Sequence, residues 1–215
     1  MRLLLSGGGD PRKVRHLDQF FADNIDKRKT VLYVPSAWEG DPTYAGCLEW
    51  FKATYGFYGI SRIVMFADLN DAPNIMRYGG VFIGGGNTFK LLKEIRESGF
   101  DVKLIAYMRS GGFVYGGSAG SIIFGKDIAG TTYDDENKVG LQDTRGLNMA
   151  KGFHVYCHYM NRGPADTALK LERLREHSGP SDMTIALPED CGAYIEDDVI
   201  TFMGSGAALL TERGE

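Results

Sequence analysis

The fold of this chain is decided by one segment, Gly112-Phe-Val-Tyr-Gly-Gly-Ser-Ala-Gly-Ser-Ile-Ile-Phe124. A short apolar run, Phe113 to Tyr115, predicts a buried strand. Small residues follow this run, and then comes an apolar segment that can begin a helix. Gly116, Ser118 and Gly120 match the G-x-S-x-G pattern of a sharp strand-to-helix turn. The segment therefore predicts a strand, a tight turn that carries one serine hydroxyl, and a helix.

Two interpretations of this turn are open from the segment alone. In the first, Ser118 only caps the N-terminus of the helix. In the second, its hydroxyl is an exposed nucleophile, and the amide of Ala119 points to where a developing oxyanion would lie. Short glycine patterns recur by chance, so the choice between the two depends on the rest of the chain.

Strand-like and helix-like segments alternate before and after this turn. Strands are predicted at 3–5, 30–34, 62–66, 81–83, 113–115, 153–159, 183–187, 192–195 and 199–203. Helices are predicted at 14–24, 42–55, 70–77, 89–95, 102–109 and 164–177, with polar loops or a β-excursion at 127–148. This alternation is typical of an α/β fold whose mostly parallel sheet is covered by helices on both faces. Functional sites in such sheets lie outside the carboxyl ends of the strands, where the turns at Gly84 and Gly116 both fall.

Composition limits the class of protein. With 215 residues, 43% of them hydrophobic and 24% charged, the chain is expected to form one domain over residues 1–215. A net charge of −4 without a basic run argues against a nucleic-acid partner. The first apolar run is too short for a signal peptide or a membrane span. Three cysteines without metal-ligand spacing indicate a reduced, cytoplasmic setting and suggest no metal or cofactor.

A nucleophilic serine needs a base, and four histidines are available. His16 and His177 fall in segments predicted as exposed helix, which indicates solvated surface residues. His154 and His158 are four residues apart on one predicted strand, so both face the same side. His158 lies at the end of that strand, beside a polar turn, and is the candidate base. His154 lies deeper and is interpreted as a packed histidine.

The acid that would orient this base has two candidates. Glu189 follows an apolar strand and Pro188, and Asp134 lies in the polar segment after the turn. Each of them could equally be a solvent-exposed carboxylate in a turn, with no role in a site.

A second glycine turn, Gly84-Gly-Gly-Asn-Thr88, is followed by an apolar helix that Asn87 or Thr88 can cap. Its amides could bind an anion at that helix N-terminus. It is not a phosphate-binding Walker loop, because no Gly-Lys-Ser/Thr follows. Another turn, Ser6-Gly-Gly-Gly-Asp10, is interpreted as structural or pocket-lining.

With these motifs in order, the chain resembles the dipeptidase E (α-aspartyl dipeptidase) family of serine peptidases, whose wider relatives include cyanophycinases. The resemblance is carried by Phe82–Leu92, Gly117–Gly120, Thr131–Asp134, Cys157–Tyr159 and Ala186–Glu189. It implies a three-layer α/β fold akin to class I glutamine amidotransferases, with serine on the elbow where those enzymes carry cysteine.

The resemblance also implies roles for individual residues. Ser118 matches the family nucleophile, His158 the general base and Glu189 the third member of the triad. The amides of Gly86 and Ala119 match the oxyanion hole. The positions expected to contact substrate are Gly85, Asn87, Thr88 and Asp134. Asp134 also matches an acidic position proposed for the triad, but Glu189 is preferred here.

Two departures from the family pattern bear on the substrate. Cys157 stands where a proline often precedes the catalytic histidine, which is a local change. Ala168 follows Asp166-Thr167 where aspartyl dipeptidases carry an arginine that pairs with the substrate's aspartate. Alanine cannot replace an arginine–carboxylate fork, so strict preference for N-terminal aspartate is not expected. Arg162 is another candidate for that contact.

The predicted function is that of a cytoplasmic serine exopeptidase that cleaves dipeptides or short peptides through an acyl-enzyme. One alternative is hydrolysis of another amide, including a cyanophycin-like polymer, which needs an open groove. The other is a non-catalytic amidotransferase-like binding domain. The expected partner is a short peptide substrate, and the oligomeric state is left open between monomer and homodimer.

Overall fold

The computed structural model describes residues 1–40, 43–70, 72 and 74–211, and two sheets organise them. In chain order the strands are β1 (Arg2–Ser6), β2 (Val31–Val34), β3 (Ile63–Met65), β4 (Gly80–Ile83), β5 (Phe113–Gly117), β6 (His154–Cys157), β7 (Met183–Leu187), β8 (Gly192–Glu196), β9 (Val199–Met203) and β10 (Ala208–Thr211). Within these residues the main sheet has the order β3-β2-β4-β5-β1-β8-β9. The first five strands are parallel, while β8 and β9 are antiparallel to their neighbours.

Helices cover both faces of the main sheet. In chain order they are α1 (Arg15–Asp23), α2 (Tyr44–Gly56), α3 (Thr88–Glu97), α4 (Phe100–Arg109), α5 (Ala119–Ile122) and α6 (Pro164–Glu176). Side chains alternate along the strands: Leu4 and Tyr33 pack with α1 and α2, whereas Leu3 and Leu32 pack with α3, α4 and α5. The two-residue period of a strand thus divides the core into two layers. None of the described helices has the length and apolar content that a membrane crossing requires.

The last strands form a second, smaller sheet with the order β10-β7-β6. β6 and β7 are parallel and in register from His154 opposite Thr184 to Cys157 opposite Leu187. Apolar residues of both strands join the same core as α3, α4 and α5. The second sheet therefore lies on that face of the main sheet, and its two parallel strands end side by side.

The mostly parallel sheet with helices on both faces is confirmed. Three details differ from expectation. The late strands are divided between two sheets, and β10 was not predicted. The helix expected at 70–77 is a 3-10 turn at Ile75–Arg77, because the side chain of Asn74 accepts the Met76 amide and competes with a longer helix. Asp71 and Pro73 lie outside the described residues, as does Pro42 at the expected start of α2.

One carboxyl group is buried between α1 and the sheet. Asp18 is 2% exposed and accepts a hydrogen bond from the Tyr55 hydroxyl at 2.7 Å. The Tyr115 hydroxyl bonds to the same carboxyl. Burial raises the pKa of Asp18 to about 6, because removal from water penalises the charged form more than the tyrosines stabilise it. Near neutral pH the ionised carboxylate therefore costs stability.

The Asp18→Asn variant should reveal this cost. The folded protein keeps the Asp18 proton up to about pH 6 and the unfolded chain loses it near pH 4, so wild-type stability falls as pH rises between these values. The difference in unfolding free energy, Asp18→Asn minus wild type, should therefore be about 2 kcal/mol larger at pH 7.5 than at pH 4.5. Urea unfolding at the two pH values measures it.

The control for this prediction is Asp23→Asn, on the exposed side of the same helix. Hydrogen bonds from Gln19 and Lys27 lower the pKa of Asp23. The Asp23 carboxylate is therefore ionised in the folded protein at both pH values, and its contribution to stability is nearly the same at each. The difference in unfolding free energy between Asp23→Asn and wild type should not change with pH. A relative stability of Asp18→Asn that does not change with pH would contradict the prediction.

Candidate active site

The candidate site lies at the carboxyl edge of three neighbouring parallel strands. β4, β5 and β1 are adjacent in the sheet, so the turns after Ile83, Gly117 and Ser6 emerge at the same edge. Ser118 follows β5 directly and is the last residue before α5. The order of the strands thus brings two glycine-rich turns of the sequence to either side of one serine.

Ser118 has the backbone conformation of a sharp elbow, with φ 52° and ψ −115°. A positive φ is costly for a residue with a side chain and persists only when neighbours hold it. Here the Ser118 amide donates to Ser6 O at 3.2 Å, and its carbonyl accepts the Ser121 amide at 2.7 Å. The Ser121 hydroxyl donates to Ser6 O and to Gly116 O, at 2.8 and 2.6 Å. These bonds fix the turn that presents the Ser118 hydroxyl.

The two outer glycines of the G-x-S-x-G pattern are required by close packing. A Cβ on Gly116 would lie 2.2 Å from the carbonyl oxygen of Gly120. A Cβ on Gly120 would lie 2.2 Å from the carbonyl oxygen of Ile83, at the end of β4. Both contacts are with backbone, which cannot move aside cheaply. The pattern therefore reflects how tightly α5 approaches β5 and β4.

The second sheet supplies an imidazole and a carboxylate beside Ser118. His158 follows β6, and Glu189 follows β7 and Pro188, so these parallel strands deliver both side chains to one place. His158 Nε2 lies 2.8 Å from Ser118 Oγ, and His158 Nδ1 lies 3.2 Å from Glu189 Oε1. Like Ser118, His158 has a positive φ, 56°. The three residues thus form one continuous hydrogen-bonded chain.

Two further side chains hold the Glu189 carboxylate. Asn161 Nδ2 donates to Oε1 at 2.7 Å, and Lys13 Nζ lies 2.6 Å from Oε2. Burial alone would raise the pKa of Glu189, but the bonds from Lys13 and His158 more than offset it, so this pKa lies below its ordinary value. The carboxylate therefore stays ionised when it accepts the His158 N–H. His154, in contrast, is 2% exposed and pairs with Asp182 at 3.3 Å, away from Ser118.

The turn after β4 faces the Ser118 hydroxyl with its backbone. A Cβ on Gly85 would lie 3.1 Å from Ser118 Cβ, and Gly86 has φ 135° with its Cα against the carbonyl of Ala37. Among the residues that the structure describes, neither the Gly86 amide nor the Ala119 amide donates to a protein acceptor. Ala119 is buried and Gly86 is partly buried, and buried amides without partners are rare in folded proteins. These two are therefore available to a ligand atom bound at Ser118.

Asn87 and Thr88 support this turn from behind. The side-chain oxygen of Asn87, Oδ1, accepts a hydrogen bond from the Lys90 amide at 2.9 Å and so caps α3. The side-chain nitrogen, Nδ2, donates to Glu136 O. Thr88 is fully buried, and its amide donates to Asp135 at 2.9 Å. Both side chains are occupied by the protein. They hold the glycine turn in place, and neither residue is among those described as lining the two cavities at Ser118. The substrate contacts expected of them from the sequence stay a prediction.

Two cavities border Ser118 and Gly86, one on each side. The smaller has a volume of about 70 Å³ and lies towards β6 and α6. The larger has a volume of about 440 Å³ and lies between the main sheet, α1 and α2. The edge of the main sheet separates them, so a molecule bound over Ser118 can extend into both.

Carboxylates outnumber cations in the small cavity. Asp134 and Asp135 line it together with Lys170, whose Nζ lies 2.8 Å from Asp134 and 3.4 Å from Asp166. Asp134 thus pairs with a buried lysine and does not contact His158 in the described structure. Arg162 is 3.9 Å from Asp134 and mostly exposed.

The sequence interpretation did not identify Lys170 as a site residue. Ala168, which takes the place of the expected arginine, is exposed on α6, whereas Lys170 is 4% exposed. The signal was present, because Thr167, Lys170 and Leu174 follow helical spacing and form the buried face of α6. A lysine on the apolar face of a helix indicates a paired or functional group.

Solved structures show the class of fold. A peptidase from an acI-B1 Actinobacterium has a TM-score of 0.72 with this chain, at 15% identity over 98% of this chain and 93% of that one. A protein from Listeria monocytogenes EGD-e also gives 0.72, at 18% identity over 94% and 97% of the two chains. At these identities the likeness is one of fold, that of the class I glutamine amidotransferase type.

Sequence comparison identifies the class of enzyme. Peptidase E of Shigella flexneri serotype 5b is 25% identical to this chain over 221 residues. The match covers 99% of this chain and 94% of the Shigella protein. Peptidase E of Citrobacter koseri is 26% identical with the same coverage. The protein is a serine-type peptidase. Residues 2–203 match the model of peptidase family S51, and the chain belongs to that family. The resemblance drawn from the sequence motifs is thereby confirmed.

The Lys13→Gln variant tests the electrostatic support of Glu189. Without the ammonium group, the carboxylate loses a hydrogen bond and a charge attraction that both lower its pKa, so we expect the pKa of Glu189 to rise. The measurement is an NMR titration of the side-chain carboxyl carbon in protein labelled with ¹³C-glutamate. Arg12→Gln is the matched control, because Arg12 pairs with Asp10 and not with Glu189. An equal pKa in Lys13→Gln and wild type would show that Lys13 does not stabilise the carboxylate.

Proposed function

We propose that this protein is an exopeptidase that hydrolyses dipeptides or very short peptides through a Ser118-His158-Glu189 triad and an acyl-enzyme. The observation that carries the proposal is the hydrogen-bonded chain from Ser118 Oγ to His158 Nε2 and from His158 Nδ1 to Glu189, at 2.8 and 3.2 Å. Serine is a weak nucleophile unless an oriented base removes its proton. This chain of contacts supplies both the base and its orienting acid.

In the first half of the reaction, Ser118 Oγ attacks the scissile carbonyl carbon while His158 Nε2 accepts the hydroxyl proton. The carbonyl oxygen becomes an oxyanion, which the amides of Gly86 and Ala119 stabilise. The imidazolium then donates its proton to the departing amine, and the C–N bond breaks. The products of this half are the free C-terminal amino acid or peptide and an ester on Ser118.

In the second half, His158 takes a proton from water, and the hydroxide oxygen attacks the ester carbon. Return of the proton to Ser118 Oγ releases the N-terminal residue as a carboxylic acid. Throughout, Glu189 accepts the His158 Nδ1–H and stabilises the imidazolium without being protonated. Asp134 is the alternative acid, but its carboxylate pairs with Lys170, which supports the assignment of this role to Glu189.

The small cavity supports a preference for short substrates with a free N-terminus. Its volume of about 70 Å³ is far below that of a pocket for an extended chain, so it holds one residue at most. Asp134 and Asp135 line it, and its one described lysine, Lys170, is already paired with Asp134 and Asp166. A surplus of carboxylates favours a cation. We assign this cavity to the N-terminal residue of the substrate, with its α-ammonium group facing the carboxylates.

The same charges argue against a strict preference for N-terminal aspartate. The cation on α6, Lys170, is already paired with two carboxylates, and Ala168 is exposed on the outer side of the helix. An aspartate side chain would meet like charges. A polymer of the cyanophycin type would need an open groove on this side of Ser118, which a cavity of this size does not offer. The three cysteines form no disulfide, in keeping with our proposal of a cytoplasmic enzyme.

The Ser118→Ala variant tests the mechanism. We expect turnover of dipeptides to fall by about 10⁴-fold or more, with an unchanged melting temperature, because only the nucleophile is removed. A fluorophosphonate probe should label Ser118 in the wild type, as mapped by mass spectrometry. Ser121 is the internal control, since its hydroxyl is buried and donates to two carbonyls. Retained turnover in Ser118→Ala, or no labelling of Ser118, would contradict the proposed mechanism and favour a non-catalytic role.

Acetylation of the substrate tests the assignment of the small cavity. N-acetyl-Ala-Ala should be hydrolysed at least about 100-fold more slowly than Ala-Ala, because it lacks the ammonium group and adds bulk. Asp-Ala should show no advantage over Ala-Ala. Both rates are followed by mass spectrometry of the released alanine. Equal rates for the acetylated and free dipeptides would overturn the assignment, and a strong advantage of Asp-Ala would show that Lys170 binds the substrate side chain.

A further inference from the structure

The large cavity is a built pocket that the proposed mechanism leaves unused. Its volume of about 440 Å³ is typical of pockets that bind small molecules. It opens at Ser118 and at the glycine turn after β4, so whatever fills it is in contact with the reacting groups. Its walls come from β2, β4, β5, α1 and α2.

Six of the described residues that line the cavity carry aromatic rings. Tyr33, Phe82 and Tyr115 stand side by side on the sheet, and the rings of Phe82 and Tyr115 meet edge to face with centroids 4.8 Å apart. Trp38 and Trp50 form the outer part. Rings pack favourably against other rings in offset or edge-to-face arrangements. The lining therefore matches a flat, apolar group.

Contacts within the lining and contacts outside the cavity hold the walls in place. Asp18 and Tyr55 both line the cavity, so its inner end carries one carboxyl group paired with a tyrosine hydroxyl. The buried Asp18 carboxylate accepts the Tyr55 hydroxyl at 2.7 Å, which fixes the inner wall. On the outer side, Lys90 Nζ donates to the carbonyls of Ser36 and Trp38, and to the Tyr44 hydroxyl at 3.1 Å. The loop that carries Trp38 is thus bonded to α3 and α2. A pocket whose walls are already ordered binds without paying for their ordering.

The direction of the substrate follows from the two cavities together. Both border Ser118 and Gly86, and the sheet edge separates them. The small cavity, with its surplus of carboxylates, takes the N-terminal residue in the proposed function. With the scissile carbonyl at Ser118, the residue after it must lie on the other side, at the mouth of the large cavity.

We propose that the large cavity binds the side chain of the residue that follows the scissile bond, and that this residue is aromatic. The enzyme is then selective for dipeptides of the type small residue–aromatic residue, with phenylalanine, tyrosine or tryptophan released as the free amino acid. This inference rests on the proposed function, because it uses Ser118 as the point of cleavage.

A dipeptide panel tests the selectivity. Burial of an aromatic ring should give Ala-Phe a kcat/KM about 30-fold above that of Ala-Gly, and Phe-Ala should be a poor substrate because the small cavity excludes the ring. Trp50→Ala should lower the ratio of Ala-Phe to Ala-Gly by about 10-fold. Phe57→Ala is the matched control: Phe57 follows the same helix, is 69% exposed and does not line the cavity, so the ratio should be unchanged.

A binding measurement that needs no turnover accompanies the panel. The chain has two tryptophans, and both line the large cavity, so intrinsic fluorescence reports on its occupancy. In the Ser118→Ala protein, Ala-Phe should give a saturable change in emission, and Ala-Gly at the same concentrations should not. Trp50→Ala in the same background should weaken the binding of Ala-Phe, with Trp38 as the remaining reporter.

The outcomes separate the two proposals. Hydrolysis of dipeptides without preference for an aromatic second residue, and without a fluorescence response, overturns the inference and leaves the proposed function intact. A preference for an aromatic first residue also overturns it. A saturable response to Ala-Phe that Trp50→Ala weakens, with no dipeptide hydrolysed by the wild type, supports the aromatic pocket and contradicts the proposed function. Selective hydrolysis together with the response supports both.

Discussion

The arrangement of the site depends on the backbone of Ser6 and Gly7, where the main sheet meets the second one. The carbonyl of Ser6 accepts the Ser118 amide at 3.2 Å, and the carbonyl of Gly7 accepts the His158 amide at 3.0 Å. The Gly7 amide donates to Cys191 O, on the far side of the Glu189 turn. A Cβ on Gly7 would lie 2.0 Å from Pro188 O, so a larger residue would separate the sheets. Two residues at the end of β1 thus hold the elbow, the imidazole and the acid together.

These bonds also explain how strained residues persist at the site. Ser118 and His158 both have a positive φ, a conformation that costs about 1–3 kcal/mol for a residue with a side chain. Each has its amide bonded to a carbonyl at the end of β1, so relaxation of either backbone would break a buried hydrogen bond. The strain is offset by the surrounding structure. Its consequence is that the Ser118 hydroxyl and the His158 imidazole face each other from two different sheets.

Charge and apolar surface are divided unequally across the edge of the main sheet. Towards α6, Asp134 and Asp166 pair with the buried Lys170, whereas towards α1 and α2 aromatic rings and the buried Asp18 line a larger space. This difference arises because different elements line the two cavities: β6, α6 and the segment around Asp134 line the small one, and β2, β4, β5, α1 and α2 contribute to the large one. A substrate bound over Ser118 meets a polar environment at one end and an apolar environment at the other. In the function proposed above, this difference would orient a short peptide over Ser118.

The sequence alone determined the alternating strands and helices, the elbow at Ser118 and the turns that carry His158 and Glu189, because these depend on local periodicity, glycine packing and turn residues. Motif spacing likewise indicated the family. Only the tertiary structure decided that the late strands form a second sheet, that Thr88 faces inward, that Lys170 pairs with Asp134, and that tryptophans 38 and 50 share a cavity with Tyr115. These contacts join residues far apart in the chain, and their partners follow from how the layers pack, which no local pattern records.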